Sequence, residues 1–224
     1  MCGRYTLATP VDDLQRRFGF AERPNLAPSY NIAPTQAAPV IRRWAAAGGR
    51  ELAILRWGLV PAWSEGPDGR FSMINARAET VATKPAYRAA FRQRRCLVPA
   101  DGFYEWQKRD GRKQPYFIRL RSGEPMAFAG LWERWTSHTG QDAIESFTIV
   151  VTDANELVRP IHDRMPVILA PEDYDRWLDP GVPDGRALLR PCPPAWLEAY
   201  PVGTRVNSPG TNDARLLEPL ASRA

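Results

Sequence analysis

The chain opens Met1-Cys2-Gly3-Arg4, and these residues could do chemistry before any fold is considered. Initiator methionine is generally trimmed when the next side chain is small, and cysteine is small. The mature chain is then expected to begin at Cys2, with a free α-amine beside a thiol. Such a 1,2-aminothiol reacts with an aldehyde twice. The amine condenses to an imine, and the thiol then closes a five-membered thiazolidine ring. An α-amine titrates at about 8 and lysine at about 10.4, so near pH ~7.5 the neutral fraction is on the order of 200-fold greater at the terminus. The thiol, at about 8.5, attacks as its thiolate. Gly3 leaves the terminus unhindered and Arg4 sets a permanent cation beside it. Taken alone, a cysteine at position 2 is unremarkable, and first residues usually fray.

Three further stretches set polar residues among apolar ones. In Ile74-Asn75-Ala76-Arg77-Ala78-Glu79, Asn75 can donate and accept at once and Arg77 can grip an anion. The plainer reading is an asparagine in a turn and a surface Arg-Glu pair. In Asp101-Gly102-Phe103-Tyr104-Glu105-Trp106, an acid sits in an aromatic strand. Burial would raise its pKa toward neutrality, where it can shuttle protons. Alternation puts Phe103 and Glu105 on one face and Tyr104 and Trp106 on the other. Glu105 facing water over an aromatic core is the equal alternative. In Ile161-His162-Asp163-Arg164-Met165-Pro166, His162 titrates near neutrality and Asp163 or Arg164 could tune it. A lone histidine is more often simply hydrogen-bonded in a loop.

Composition narrows the class. The chain has 224 residues, 44% of them hydrophobic, enough for a real core. No apolar run approaches the roughly 20 residues that span a bilayer, and no basic-then-apolar leader opens the chain. A soluble cytoplasmic protein is expected. Three cysteines without a CxxC pair and two histidines suggest neither a disulfide scaffold nor a metal site. The net charge is +5, and arginine far outnumbers lysine. Arginine forks match phosphate geometry, so nucleic acid is a natural partner, although a basic solvated surface explains charge equally well.

The elements that must position these residues are short. Thr9-Pro10 reads as an N-cap and first helical residue, with Asp12 and Asp13 in the first turn and Gly19 as the stop. Ala21 to Pro34 reads as loop. Strands are expected at Pro39 to Trp44 and Leu52 to Trp57, joined at Gly48-Gly49. Ser64 to Arg70 is a loop, and Lys84 to Gln93 a helix. Extended segments follow at Cys96 to Val98, Phe103 to Gln107, Pro115 to Leu120 (after an Asp110-Gly111 turn), Met126 to Trp135, Phe147 to Thr152 and Val167 to Leu169. Pro171 to Leu178 reads as a helix with early acids. Strands in hairpin-like succession with few helices between them predict an α+β fold. It is expected as a single compact domain over residues 1–224, mostly antiparallel and barrel-like, with short peripheral helices.

The four reactive stretches, in this order, resemble the SOS-response-associated peptidase (SRAP) family. The match extends through Tyr30-Asn31-Ile32-Ala33-Pro34-Thr35, Arg56-Trp57-Gly58-Leu59-Val60-Pro61 and Arg95-Cys96-Leu97-Val98-Pro99-Ala100, so the resemblance runs nearly end to end. It implies a cofactor-free sensor of abasic sites in single-stranded DNA and at single-strand/duplex junctions, acting as a monomer and nucleoid-associated when bound. By the resemblance, Cys2 is the nucleophile, forming a stable thiazolidine with the open-chain sugar. Glu105 is the general acid/base, His162 assists proton transfer at the sugar oxygen, and Asn75 holds the terminus. Arg4, Arg77 and Arg164 meet phosphates, and Pro34 and Trp63 stack on bases or wedge at a junction. Self-release of Met1 and weak strand-cleaving lyase activity belong to the same picture. The segment Arg205 to Ala214 looks like the family's C-terminal motif, with Ala214 where glycine is more usual. The irregular loop Ser64 to Arg70 shapes the duplex-facing side. Two other readings stay open. A cysteine peptidase could use Cys2, His162 and an oxyanion donor such as Asn75 on protein substrates. A plain nucleic-acid binder would not need Cys2 at all.

Overall fold

In the computed structural model the described residues are 2–43, 49–67, 73–109, 111–182 and 185–220. Met1, Trp44, Gly48, Asp110 and the 68–70 end of the expected loop lie outside them. In chain order the strands are β1 (Tyr5–Leu7), β2 (Ser29–Ile32), β3 (Ala37–Arg43), β4 (Arg50–Trp57), β5 (Asn75–Arg77), β6 (Arg95–Ala100) and β7 (Gly102–Arg109). They continue with β8 (Arg112–Leu120), β9 (Met126–Thr136), β10 (Ala143–Asp153), β11 (Arg164–Pro166), β12 (Ile168–Leu169) and β13 (Leu197–Pro201). The α-helices are α1 (Val11–Phe18), α2 (Arg88–Gln93) and α3 (Tyr174–Leu178). None is long and apolar enough to cross a membrane.

Strands β10, β4, β3, β6 and β9 pair in that order, and β9 pairs back to β10. The sheet therefore closes into a five-stranded barrel, and closure satisfies backbone groups that an open edge would leave bare. Strands β5 and β11 extend from β10, and β12 from β9. A second sheet runs β13-β8-β7-β1-β2. The expected α+β, mostly antiparallel, barrel-like fold with short helices is what the chain adopts. The exceptions are parallel pairings of β10 with β4 and with β5.

The two sheets share one core. Tyr5 packs edge-on against Trp57 (5.1 Å) and Phe128 (6.0 Å), and Phe103 meets Phe128 in the same way (5.9 Å). T-shaped contacts of this kind suit the ring quadrupoles. On the far side of the second sheet, Tyr104 and Phe117 pack with Val202, Val206 and Leu216 of the C-terminal segment. The alternation expected of β7 is therefore observed, with Phe103 in one core and Tyr104 in the other.

Several local expectations need correction. From Cys2 onward the first residues are held rather than frayed, because Cys2 is buried and Tyr5–Leu7 is a fully internal strand. Ser29–Ile32, within the expected loop, is a strand because it pairs with β1. Asn75–Arg77 is a strand rather than a turn. Helix α1 starts one residue later than expected, with Pro10 as N-cap. Thr9 instead gives its hydroxyl to the Asp101 carboxylate at 2.5 Å, while Gly19 ends the helix at φ 70° as expected. Helix α2 begins only at Arg88. Pro85 disfavours helical geometry at Lys84, and turns fill the stretch before it. The last expected helix opens as a 3-10 turn over Pro171–Asp173 and becomes α-helical only from Tyr174.

Gly102 starts β7 at a point where a Cβ would lie 2.4 Å from the Phe117 ring and 2.7 Å from the Ile118 carbonyl oxygen. Gly102→Ala is expected to destabilise the fold by about 1–3 kcal/mol through overpacking. The readout is a lower urea midpoint at unchanged slope. An unshifted midpoint would mean that β7 and β8 separate freely.

Candidate active site

Strand β1 delivers the chain start to β7. Tyr5 lies opposite Phe103, and the Tyr104 amide donates to the Arg4 carbonyl at 3.0 Å. Continued one step, this register sets Gly3 alongside Glu105. Cys2 is fully buried, and its carbonyl accepts a 2.8 Å hydrogen bond from Asn75 Nδ2. Asn75 can do this because it opens β5, locked in parallel register opposite Ile149. Its own carbonyl accepts from the Tyr87 hydroxyl at 3.3 Å.

Burial dominates the electrostatics. It pushes the Cys2 thiol well above its ordinary value, and the Glu105 charge adds to the rise. Glu105 is only 2% exposed, so water does not solvate it. Its carboxyl is pushed up to about 7, by burial first and by Asp163 in addition. Burial likewise holds His162 below the usual imidazole value, and Lys108 acts in the same direction. His162 Nδ1 lies 3.0 Å from the Arg164 amide nitrogen and 2.8 Å from the Asp163 carboxylate. The two contacts ask for opposite protonation at Nδ1. Because Asp163 is largely exposed and His162 is shifted toward neutral, the amide contact governs, leaving the proton on Nε2. The Tyr5 hydroxyl and Asn75 Oδ1 are buried with no hydrogen-bond partner among the described residues. Tyr5, too, feels the Cys2 charge. Cys2, Glu105, Tyr5 and Asn75 thus converge on one buried polar locus.

The expected DNA-facing residues divide. Arg77 is exposed, and Trp63 is 67% exposed and lines a groove of about 690 Å³ together with Met73 and Ile74. Pro34 is half-buried next to Thr35, which also lines this groove. Arg4 and Arg164 are not open cations. Arg4 Nη1 donates to Asn31 Oδ1 and to the Val206 carbonyl, both at 2.8 Å. Arg164 pairs with Glu79 and, at 3.2 Å, with Asp153. Both guanidiniums are committed to groups of the protein itself. A protein carboxylate competes for a guanidinium as a phosphate does, and spacing along the chain does not show which will win.

Asn31 is the residue that sequence reasoning passed over. Besides holding Arg4, its Nδ2 donates to the carbonyls of Ser208 (2.9 Å) and Thr211 (2.7 Å). Trp106 Nε1 adds a 2.7 Å bond to Asn207 Oδ1. The C-terminal segment is thereby clasped onto the strands that carry Cys2 and Glu105. An asparagine set between Tyr30 and Ile32 in a β-like run was the available signal.

Two outcomes follow from this geometry. Asn31→Ala leaves buried donors and carbonyls unpaired, and is expected to cost about 1–3 kcal/mol, read as a lower thermal midpoint. Glu105 is raised from 4.5 to about 7, so between these values the native state binds more protons than the unfolded state. Its stabilising contribution is full below about 4.5 and is lost as pH rises through 7. Glu105→Gln should flatten the fall in melting temperature over this range, and parallel wild-type and variant curves would refute the raised titration.

Residues 1–209 match the family described as SOS response associated peptidase (SRAP). The chain is 43% identical to the "Abasic site processing protein YoaM" of Bacillus subtilis (strain 168), over 97% of this chain and 98% of that protein. It is 32% identical to the "Abasic site processing protein HMCES" of Xenopus tropicalis, over 95% of this chain and 76% of that protein. Among solved structures, a Bacteroides thetaiotaomicron protein superposes with a TM-score of 0.87 at 26% identity, covering 98% of this chain and 100% of its own. The chain belongs to the SOS response associated peptidase (SRAP) family.

Proposed function

We propose that this protein captures abasic sites in single-stranded DNA as a covalent thiazolidine on Cys2, once Met1 has been removed, and so shields the lesion during the damage response. The observation that carries this reading is the burial of both Cys2 and Glu105 where the charge of one bears on the other, with Asn75 holding the Cys2 carbonyl. The names of the relatives, which process abasic sites, point to the same substrate.

Release of Met1 consumes one water and frees the Cys2 amine. That amine adds to the C1 aldehyde of the ring-opened sugar and gives a carbinolamine. Glu105, which holds a proton at near-neutral pH, gives it to the departing hydroxyl, and water leaves with formation of the iminium. Neutral His162 takes or returns a proton at the sugar oxygen. The thiol sulfur then bonds to the former aldehyde carbon, and its proton returns to the carboxylate. The sum is aldehyde plus aminothiol giving thiazolidine and one water. A buried thiol is a poor nucleophile while neutral. The iminium cation formed on the same residue favours the thiolate at the moment it is needed. Holding both nucleophiles on one fixed residue supplies a large effective molarity. The iminium can alternatively lose the proton on sugar C2 and expel the 3′ phosphate, which accounts for a weak lyase side reaction.

Arg77 and the Trp63 groove are suited to the flanking strand, through phosphate charge and base stacking. Protein hydrolysis at Cys2 is less well served. A thiol peptidase needs a depressed thiol pKa next to a cation, whereas burial raises that of Cys2 and His162 is held neutral.

The test is a denaturing gel of single-stranded DNA with one abasic site. A heat-stable shifted band is expected for wild type and none for Cys2→Ala or for a chain with an uncleaved N-terminal extension. Glu105→Gln should slow band formation by about 10²–10⁴-fold. Absence of the wild-type band, with Met1 removal confirmed by mass, would overturn the reading.

A further inference from the structure

The hairpin that carries Glu105 continues beyond it into an unusual charge pattern. Residues 108–113 read Lys-Arg-Asp-Gly-Arg-Lys, four cations to one acid. In the β7–β8 register, Lys108 stands opposite Lys113 and Arg109 opposite Arg112. Like charges directly across an antiparallel pair repel and weaken the ladder. Some surface arginines here are neutralised by the protein itself, as in the Arg119–Glu198 and Arg205–Asp213 pairs. Lys108, Arg112 and Lys113 are exposed, and among the described residues none of them has an ion-pair partner. A strand end that sets lysine against lysine, with no ion-pair partner among the described residues, is suited to an external polyanion.

Its position is fixed relative to the site. Gln107 Nε2 donates to the Pro160 carbonyl at 3.0 Å, bolting β7 to the loop that presents His162. Lys108 is near enough for its charge to bear on His162. At a rise of ~3.4 Å per residue, Lys108 lies ~10 Å along the strand from Glu105, about the span of three stacked nucleotides. Alternation also places Lys108 on the same face as Trp106, over which the Arg4 guanidinium sits at 6.0 Å.

We infer that the outer end of the β7–β8 hairpin is a separate grip on the DNA backbone, where Lys108, Arg112 and Lys113 hold phosphates on one side of the lesion. This rests on the reading that the substrate is single-stranded DNA. The three residues are none of the reacting groups and do not line the Trp63 groove. The grip therefore sets affinity and strand placement, and Lys108 bears on the chemistry only through its charge on His162.

The experiment measures binding of a fluorescent, undamaged single-stranded oligonucleotide across a salt series, so that no covalent step contributes. Each phosphate contact adds about 0.7 to the slope of log affinity against log salt. The combined Lys108→Ala, Arg112→Ala, Lys113→Ala variant is expected to lose about 1–2 from that slope. Its thermal midpoint should be unchanged or higher, since repulsion has been removed. Lys108→Arg with Lys113→Arg should retain the wild-type slope. With oligonucleotides carrying one abasic site, shortening one flank should erase the difference between wild type and the alanine variant, while shortening the other should not. An unchanged slope in the alanine variant, or no salt-dependent binding by wild type, would overturn the inference. If wild type binds with the expected slope difference but forms no covalent band, the crosslinking reading fails and the grip stands.

Discussion

Everything at the candidate site depends on an aromatic side chain near the start of the chain. Tyr5 inserts between Trp57 of β4 and Phe128 of β9, at the seam where the barrel meets the second sheet. A three-residue strand has too few ladder bonds to hold itself, and a chain terminus ordinarily pays full entropy for being ordered. Burying a ring of this size is what offsets that loss. With Tyr5 fixed, Arg4 must meet Tyr104, Gly3 must run beside Glu105, and Cys2 must fall where Asn75 can reach its carbonyl. Cys2 is thus positioned as much by a neighbour three places along as by its own contact with Asn75.

Such a location has an electrostatic character that a surface terminus would lack. The medium around Cys2 and Glu105 penalises charge, so the thiol is held protonated and the carboxyl gives up its proton only near neutrality. Cations that could disturb this balance are committed elsewhere, Arg4 to Asn31 and Val206, Arg164 to Glu79 and Asp153. Basic residues without an acidic partner among the described residues lie toward solvent, Arg77 and the β7–β8 hairpin end among them. The molecule thus separates a proton-rich interior from a cationic exterior.

Much of this was legible in the residues. Periodicity gave β7 and its two faces, and turn chemistry gave the end of α1 at Gly19. Motif order singled out Cys2, Asn75, Glu105 and His162, and the fold buries Cys2 and Glu105 and joins Asn75 to the Cys2 carbonyl. The failures share a physical cause. Tyr5–Leu7, Ser29–Ile32 and Asn75–Arg77 are short strands whose pairing partners are distant in sequence, so no local pattern announces them. Pairing across a sheet is a tertiary decision, and propensity is a weak guide to it. The same applies to Arg4 and Arg164, whose partners lie 27 to 202 residues away or on other strands. Asn31 was invisible as a hub because its role exists only when the C-terminal segment is laid over it.

That clasp has a temporal meaning. The strand bearing Cys2 is synthesised first, but the carbonyls that hold Asn31 and Arg4 belong to Val206, Ser208 and Thr211 and are synthesised among the last. Contacts of such sequence separation close late and slowly. During translation Cys2 precedes the framework that orients it, and a chain cut short before residue 206 lacks the staple altogether. Organisation of the candidate site is therefore coupled to near-complete synthesis, so an unfinished copy carries Cys2 without the geometry that would direct it.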